Sequence, residues 1–169
     1  MLTRRSTLIA AFAAVSLAGC ATPYQPIPEG YSGPRANIAD TVMIRSSSVA
    51  NVFAIVQVDG NDIANAFRAS EGASRGRGFA LTALIAKRDL PAKPMRLTLL
   101  GHPITGAPIQ AMAMQLGGTY YEVGGTIDFT PQSGVFYIVR GELKKEGSSI
   151  WIEDTATGQP VTEKILTKP

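Results

Sequence analysis

One cysteine, one histidine and one tryptophan are all that 169 residues supply of three side chains central to metal binding, thiol chemistry and ring stacking. The lone Cys20 forms no disulfide within the chain, and the lone His102 leaves a multi-histidine or thiolate metal site short of ligands. No metal and no cofactor is therefore expected. Charge is scarce as well, at 17% of residues, with no clustered basic stretch. The 16 Lys and Arg against 13 Asp and Glu fall to 14 against 13 if Arg4 and Arg5 leave with a cleaved leader, so a pI near 9.2 overstates the basicity. Such a balance gives nucleic acid no electrostatic footprint. Long hydrophobic runs are missing too: Leu8 to Val15 is shorter than the roughly 20 residues a membrane-crossing helix needs. No G-x-x-x-x-G-K-[ST] phosphate loop occurs.

What is present begins at the N-terminus. Arg4 and Arg5, the apolar run and then Leu17-Ala18-Gly19-Cys20 have the order of a secretory signal peptide: basic region, apolar region, small-residue cleavage site. The stretch resembles the lipobox of bacterial lipoproteins. The resemblance implies cleavage between Gly19 and Cys20 and acylation of Cys20 on sulfur and amino group, an anchor strong enough to hold because it uses more than one acyl chain. Ala21, where an aspartate would favour inner-membrane retention, implies sorting to the outer membrane. Thr3 to Leu8 resembles a degraded twin-arginine signal, which leaves the export route open.

Residues 20–34 hold ATPYQPIPEGYSGP after the cysteine, and their prolines and glycines favour extended chain over helix or ladder. This is expected to be a linker, either a stalk reaching about 40 Å when fully extended or a segment packed along the domain edge. Residues 35–169 read as one β domain. Val52 to Val58 is a short apolar run rich in branched side chains and closed by the turn dipeptide Asp59-Gly60. Further strands are expected at Phe79–Ala86, Met95–Leu100, Ile109–Gln115, Thr119–Phe129, Val135–Leu143, Ser149–Glu153 and Val161–Ile165. Lys87 to Pro94 reads as an exposed connection, Gly117-Gly118 as a turn and Gly124-Gly125 as a bulge or bend. Ile109, Ala111 and Ala113 alternate with Gln110, Met112 and Met114, which favours strand there, while Asn61 to Ser70 is balanced between a returning strand and a short helix. Frequent short strands argue an all-β sandwich.

Val56 to Gly60, Ile127 to Val139 and Ile150 to Asp154 with Thr157-Gly158 and Val161 resemble small envelope lipoproteins with an immunoglobulin-like or transthyretin-like β-sandwich. Within the middle stretch, Tyr137 opens a strand after the turn at Gly134, much as in a tyrosine corner, and adjacent Phe136 must face the other side. The resemblance carries a fold and no catalytic residue.

Four side chains are candidates for ligand binding. Arg75 and Arg77, in the loop Arg68 to Gly78, have the fork geometry for an anion such as a phosphate or carboxylate. Trp151 and Glu153 share one strand face and offer a sugar platform if Trp151 is exposed; if Trp151 is core, Glu153 is paired. A hydrolase would have to use His102, placed here in a loop, with Ser133 or Ser149 as nucleophile. The expectation is an immunoglobulin-like β-sandwich behind a signal peptide (1–19) and a Pro/Gly-rich tether. It is expected to serve as a non-enzymatic accessory or binding module, anchored in the outer membrane and facing the periplasm. Its partners are the membrane and an envelope protein or peptidoglycan, with a carbohydrate-binding domain as the alternative and an envelope hydrolase a lesser one.

Overall fold

The computed structural model describes residues 22–167; the cleavage and lipidation positions Gly19 and Cys20 lie outside them. Within that span the chain forms eleven strands and two helices. The strands are β1 (Arg35–Ala39), β2 (Thr41–Ser46), β3 (Val49–Val58), β4 (Asn61–Asp62), β5 (Lys87–Pro91), β6 (Met95–Thr105), β7 (Val123–Phe129), β8 (Phe136–Glu142), β9 (Ser148–Asp154), β10 (Gln159–Pro160) and β11 (Ile165–Thr167). The helices are α1 (Ala66–Ser74), between β4 and β5, and α2 (Pro108–Leu116), between β6 and β7.

Two sheets face each other, as the all-β sandwich expectation requires. One has the order β10-β9-β8-β1-β5, with β11 also on β9; the other has the order β2-β3-β6-β7, with β4 on β3. Every pairing is antiparallel except β1 with β8. The core follows from alternation. Phe53, Ile55, Leu97 and Leu99 of the second sheet meet Ile38, Val139, Ile150 and Ile152 of the first, all buried. Phe53 fits because glycine stands on both sheets where its ring lies: a Cβ on Gly101 would come within 2.6 Å of it and one on Gly141 within 2.2 Å.

The Asp59-Gly60 turn forms as its residues dictate, with φ of 50° and 79°. Tyr137 is buried while Phe136 is exposed, and the Tyr137 hydroxyl accepts from the Gln132 backbone N–H at 3.0 Å.

Several expectations are overturned. Residues 108–116 are helix, not strand: Pro108 sits in the first turn, Gln110 reaches back to the Ala107 N–H at 3.0 Å, and Gly117-Gly118 closes the end. Lys87 to Pro91 is not an exposed connection but a paired strand, because Leu90 is buried and Arg88 reaches an interior carboxylate. Residues 80–86 join no sheet, and Phe79 belongs to the turn before them. Gly124 and Gly125 sit in unbroken register with Leu100 and Leu99, so no bulge forms there. Instead, Gly125 makes room for Ile165, whose Cγ2 would stand 3.1 Å from an added Cβ. Asn61 to Ser70 divides into β4 and the start of α1, and residues 161–164 lie between two short strands.

Tyr24 to Pro34 packs along the domain. The Tyr24 N–H donates to the Asp62 carbonyl at 2.9 Å, Tyr24 forms a parallel bridge with Ile63, and Pro26 is buried.

Candidate functional site

A concavity of about 690 Å³ opens on the outer face of the second sheet, between α1 and α2. It exists because β7 leaves β6 at the Gly101–Val123 pair, so the last residues of β6 have a neighbour only in β3. This also explains how Pro103 is tolerated in a strand: with no partner on one side, its missing N–H costs no ladder bond there. His102 therefore lies within β6, not in a loop, and its side chain stands on the outer face beside the cleft.

Three rings line up across the cleft wall. His102 stacks on Phe67 of α1 with centroids 4.2 Å apart and 16° between planes, and on Tyr120 at 5.9 Å and 26°. The His102 Nδ1 lies 2.9 Å from the Pro103 carbonyl; a carbonyl only accepts, so Nδ1 is the donor in this contact. Burial pushes the Tyr120 hydroxyl above its ordinary pKa, and the Glu122 carboxylate pushes it the same way. Beneath the stack, Val52, Ala54 and Ala66 form a small second core with Phe67 and Ile104 against it, so the wall is firm on the α1 side. The α2 side is different: none of its nine residues is buried.

α1 owes its position to one interior carboxylate. Asp40, at the crossing from β1 to β2, accepts from the Ala66 N–H at 2.8 Å, from the Ile55 N–H at 3.3 Å and from Arg88 Nη2 at 2.5 Å. It thus meets the positive end of the helix while neutralised by a guanidinium from β5. Asn65 caps the same end, accepting from the Arg68 N–H at 3.2 Å.

The sequence candidates fall in different places. Arg75 lines the cleft, paired loosely with Glu71 at 3.9 Å, both highly exposed. Arg77 is not in the cleft wall and donates to Thr82 Oγ1 at 2.9 Å. Trp151 lies on the opposite side of the molecule, on the outer face of β9 between Ile150 and Ile152 of the core. It is 9% exposed, with Lys164 Nζ 4.1 Å from the ring centroid. Glu153 is paired with Arg140 at 3.2 Å. Trp151 and Glu153 thus follow the second of the two patterns that alternation allowed, a covered indole and a paired carboxylate. Neither Ser133 nor Ser149 borders the cleft with His102.

One pattern escaped the sequence reading. Gly72-Ala73-Ser74-Arg75-Gly76 has the G-x-S-x-G spacing, and Ser74 lines the same cleft as His102. The spacing is not an elbow here, because Ser74 ends a helix and does not follow a strand. Its hydroxyl accepts from the Thr82 N–H at 2.9 Å and donates to the Thr82 carbonyl at 3.4 Å. Among the described residues no group of three or more His, Cys, Asp or Glu is placed to hold a metal ion, and no helix is long and apolar enough to cross a membrane. Comparison with protein families, with curated proteins and with solved structures finds nothing that matches the chain.

Proposed function

We propose that the chain is a lipid-anchored protein of the bacterial outer membrane that faces the periplasm and acts as a non-enzymatic binding module, holding part of another envelope component in the cleft between α1 and α2. The observation that carries the binding role is the cleft itself: about 690 Å³, with a stacked Phe67–His102–Tyr120 wall and a few polar groups, which is how ligand sites are built. The anchor rests on the Leu17 to Cys20 motif. An immunoglobulin-like assignment for the sandwich draws support from the Gln132-to-Tyr137 hydrogen bond, the contact expected of a tyrosine corner.

A binding role is favoured over hydrolysis by how the reactive groups are spent. Ser74 gives its hydroxyl to the Thr82 backbone, and the proton on His102 Nδ1 goes to a backbone carbonyl, not to a carboxylate. The sugar platform on Trp151 loses ground because the indole is covered.

The test is to fill the cleft. Ala111 lines it from α2 and has no part in the core, so Ala111→Trp is expected to leave the melting temperature unchanged. Recovery of the partner from solubilised envelopes should fall about tenfold, equivalent to roughly 1.4 kcal/mol. Equal recovery by both proteins overturns the cleft as the binding site. Retention of the wild type on purified peptidoglycan, lost in Ala111→Trp, turns the assignment toward a glycan ligand.

A further inference from the structure

We infer that the domain stands directly on the leaflet that anchors it, with the β3–β4 turn and the start of β6 toward the lipid headgroups and the cleft held clear of them on the side of the domain. The inference rests on the proposed acylation of Cys20 and adds to it the place where the described chain is first fixed to the domain. That place is Tyr24, tied to Asp62 and Ile63 by a backbone hydrogen bond of 2.9 Å and a parallel bridge. Following it, Pro26 is buried, Tyr31 Oη donates to the Pro34 carbonyl at 3.1 Å, and Arg35 lies over the Tyr31 ring at 5.6 Å. The segment is a strap, not a stalk. Four residue steps separate Cys20 from Tyr24, and at no more than about 3.6 Å each they reach roughly 14 Å.

That reach decides the orientation. Ile63 donates to the Val56 carbonyl, so the tie is level with Val56 near the end of β3. His102 pairs with Val52 and Thr105 with Val49; at about 3.3 Å per residue the cleft extends from roughly 13 to 23 Å beyond the tie. Standing the domain on its cleft end would hold Tyr24 roughly 23 Å from the leaflet, farther than the chain from Cys20 reaches. Of the two ends of the sandwich, the one beside the tie is within reach of the surface. Two of the cations near the tie are already matched: Arg68 is paired with Asp62 at 2.8 Å and Arg96 lies 3.5 Å from Asp128. The contact is held by the acyl chains and the short strap, so salt should not release it.

The full-length lipidated chain, reconstituted in phosphatidylcholine vesicles containing a headgroup-spin-labelled lipid, tests this. Lys93→Cys, between β5 and β6, and Ser47→Cys, in the turn between β2 and β3, each place a fluorophore at an exposed site. Quenching at position 93 is expected to exceed that at 47 about fivefold, given strand ends about 30 Å apart, at low and high salt alike. Inserting a Gly/Ser spacer of about ten residues between Ala21 and Thr22 should erase the difference. Equal quenching at the two sites in protein that floats with the vesicles overturns the orientation alone. A difference that survives the spacer overturns the strap as its cause. Protein that does not float removes the acyl anchor and this inference with it.

Discussion

Asp40 shows how one residue joins elements that the sequence keeps far apart. Its side chain is 0% exposed and that of Arg88 10%. Burial pushes its carboxyl above the ordinary value of 3.8, and the Arg88 charge, with the Ala66 and Ile55 N–H groups, pulls it partly back. A carboxyl raised in the folded state binds more protons there than in the unfolded chain, so its contribution to stability declines as pH rises from 3.8 through the folded value. Arg88→Met removes the counter-charge and extends that decline to higher pH. Urea unfolding should find Arg88→Met less stable than wild type by about 3–5 kcal/mol at neutral pH, with the gap narrowing toward pH 4 as the buried group protonates. A gap independent of pH would mean that Arg88 acts through packing alone. None of this was legible in the sequence: Lys87-Arg88-Asp89 reads as solvated charge, and the partner that draws Arg88 inward lies 48 residues away.

At the scale of elements, the sequence displayed what local pattern determines and concealed what tertiary partners determine. Val52 to Val58 and Val135 to Leu143 announced β3 and β8 through branched apolar residues between turn residues. α2 was misread because a helix with no buried face has no 3.6-residue pattern to display; the useful signals were at its ends, in Pro108, Gln110 and the glycine pair. The cleft was half legible, in that Arg75 and His102 were singled out for separate reasons, but Phe67 and Tyr120 join them only through the fold. Residues 79–86 have the apolar content of a strand yet join no sheet, and Thr82 and Leu84 find their partners on a helix. Ser70 Oγ accepts from the Leu84 N–H at 2.9 Å and donates to its carbonyl at 3.4 Å, and Ser74 does the same for Thr82. Two hydroxyls at i and i+4 on α1 replace a strand edge. Ser70→Ala with Ser74→Ala should cost about 1–3 kcal/mol for each site. Amide exchange at Thr82 and Leu84 should rise while that of the sheet amides in β3 holds. Unchanged exchange at those two amides would show that the segment is held by its side chains instead.

For the molecule as a whole, the question is what makes two sheets one unit, and β11 gives part of the answer. β11 hydrogen-bonds to β9 of the first sheet, pairing Ile165 with Ile150, while Thr167 Oγ1 donates to the Glu122 carbonyl at 3.1 Å beside β7 of the second. Ile165 packs against the common core and onto Gly125 of β7, where its Cγ2 and Cδ1 would meet an added Cβ at 3.1 and 3.3 Å. The strand therefore closes the seam, and the glycine is the space that lets it do so. Gly125→Ala is expected to cost about 1–3 kcal/mol by overpacking, and Ile165→Ala a similar amount through lost burial of a partly buried side chain. Combined, the two changes should cost less than their sum, by about 0.5–3 kcal/mol, because the new methyl enters space the isoleucine has vacated. Urea denaturation of the four proteins, followed by Trp151 fluorescence for the first sheet and far-ultraviolet circular dichroism for the whole, measures that coupling. It also asks whether the two transitions stay coincident when the seam is weakened. Strict additivity would detach Gly125 from Ile165, and separated transitions in Ile165→Ala would mean that β11 holds the sheets in one cooperative unit, since the Phe53 slot and the shared core would then be insufficient without it.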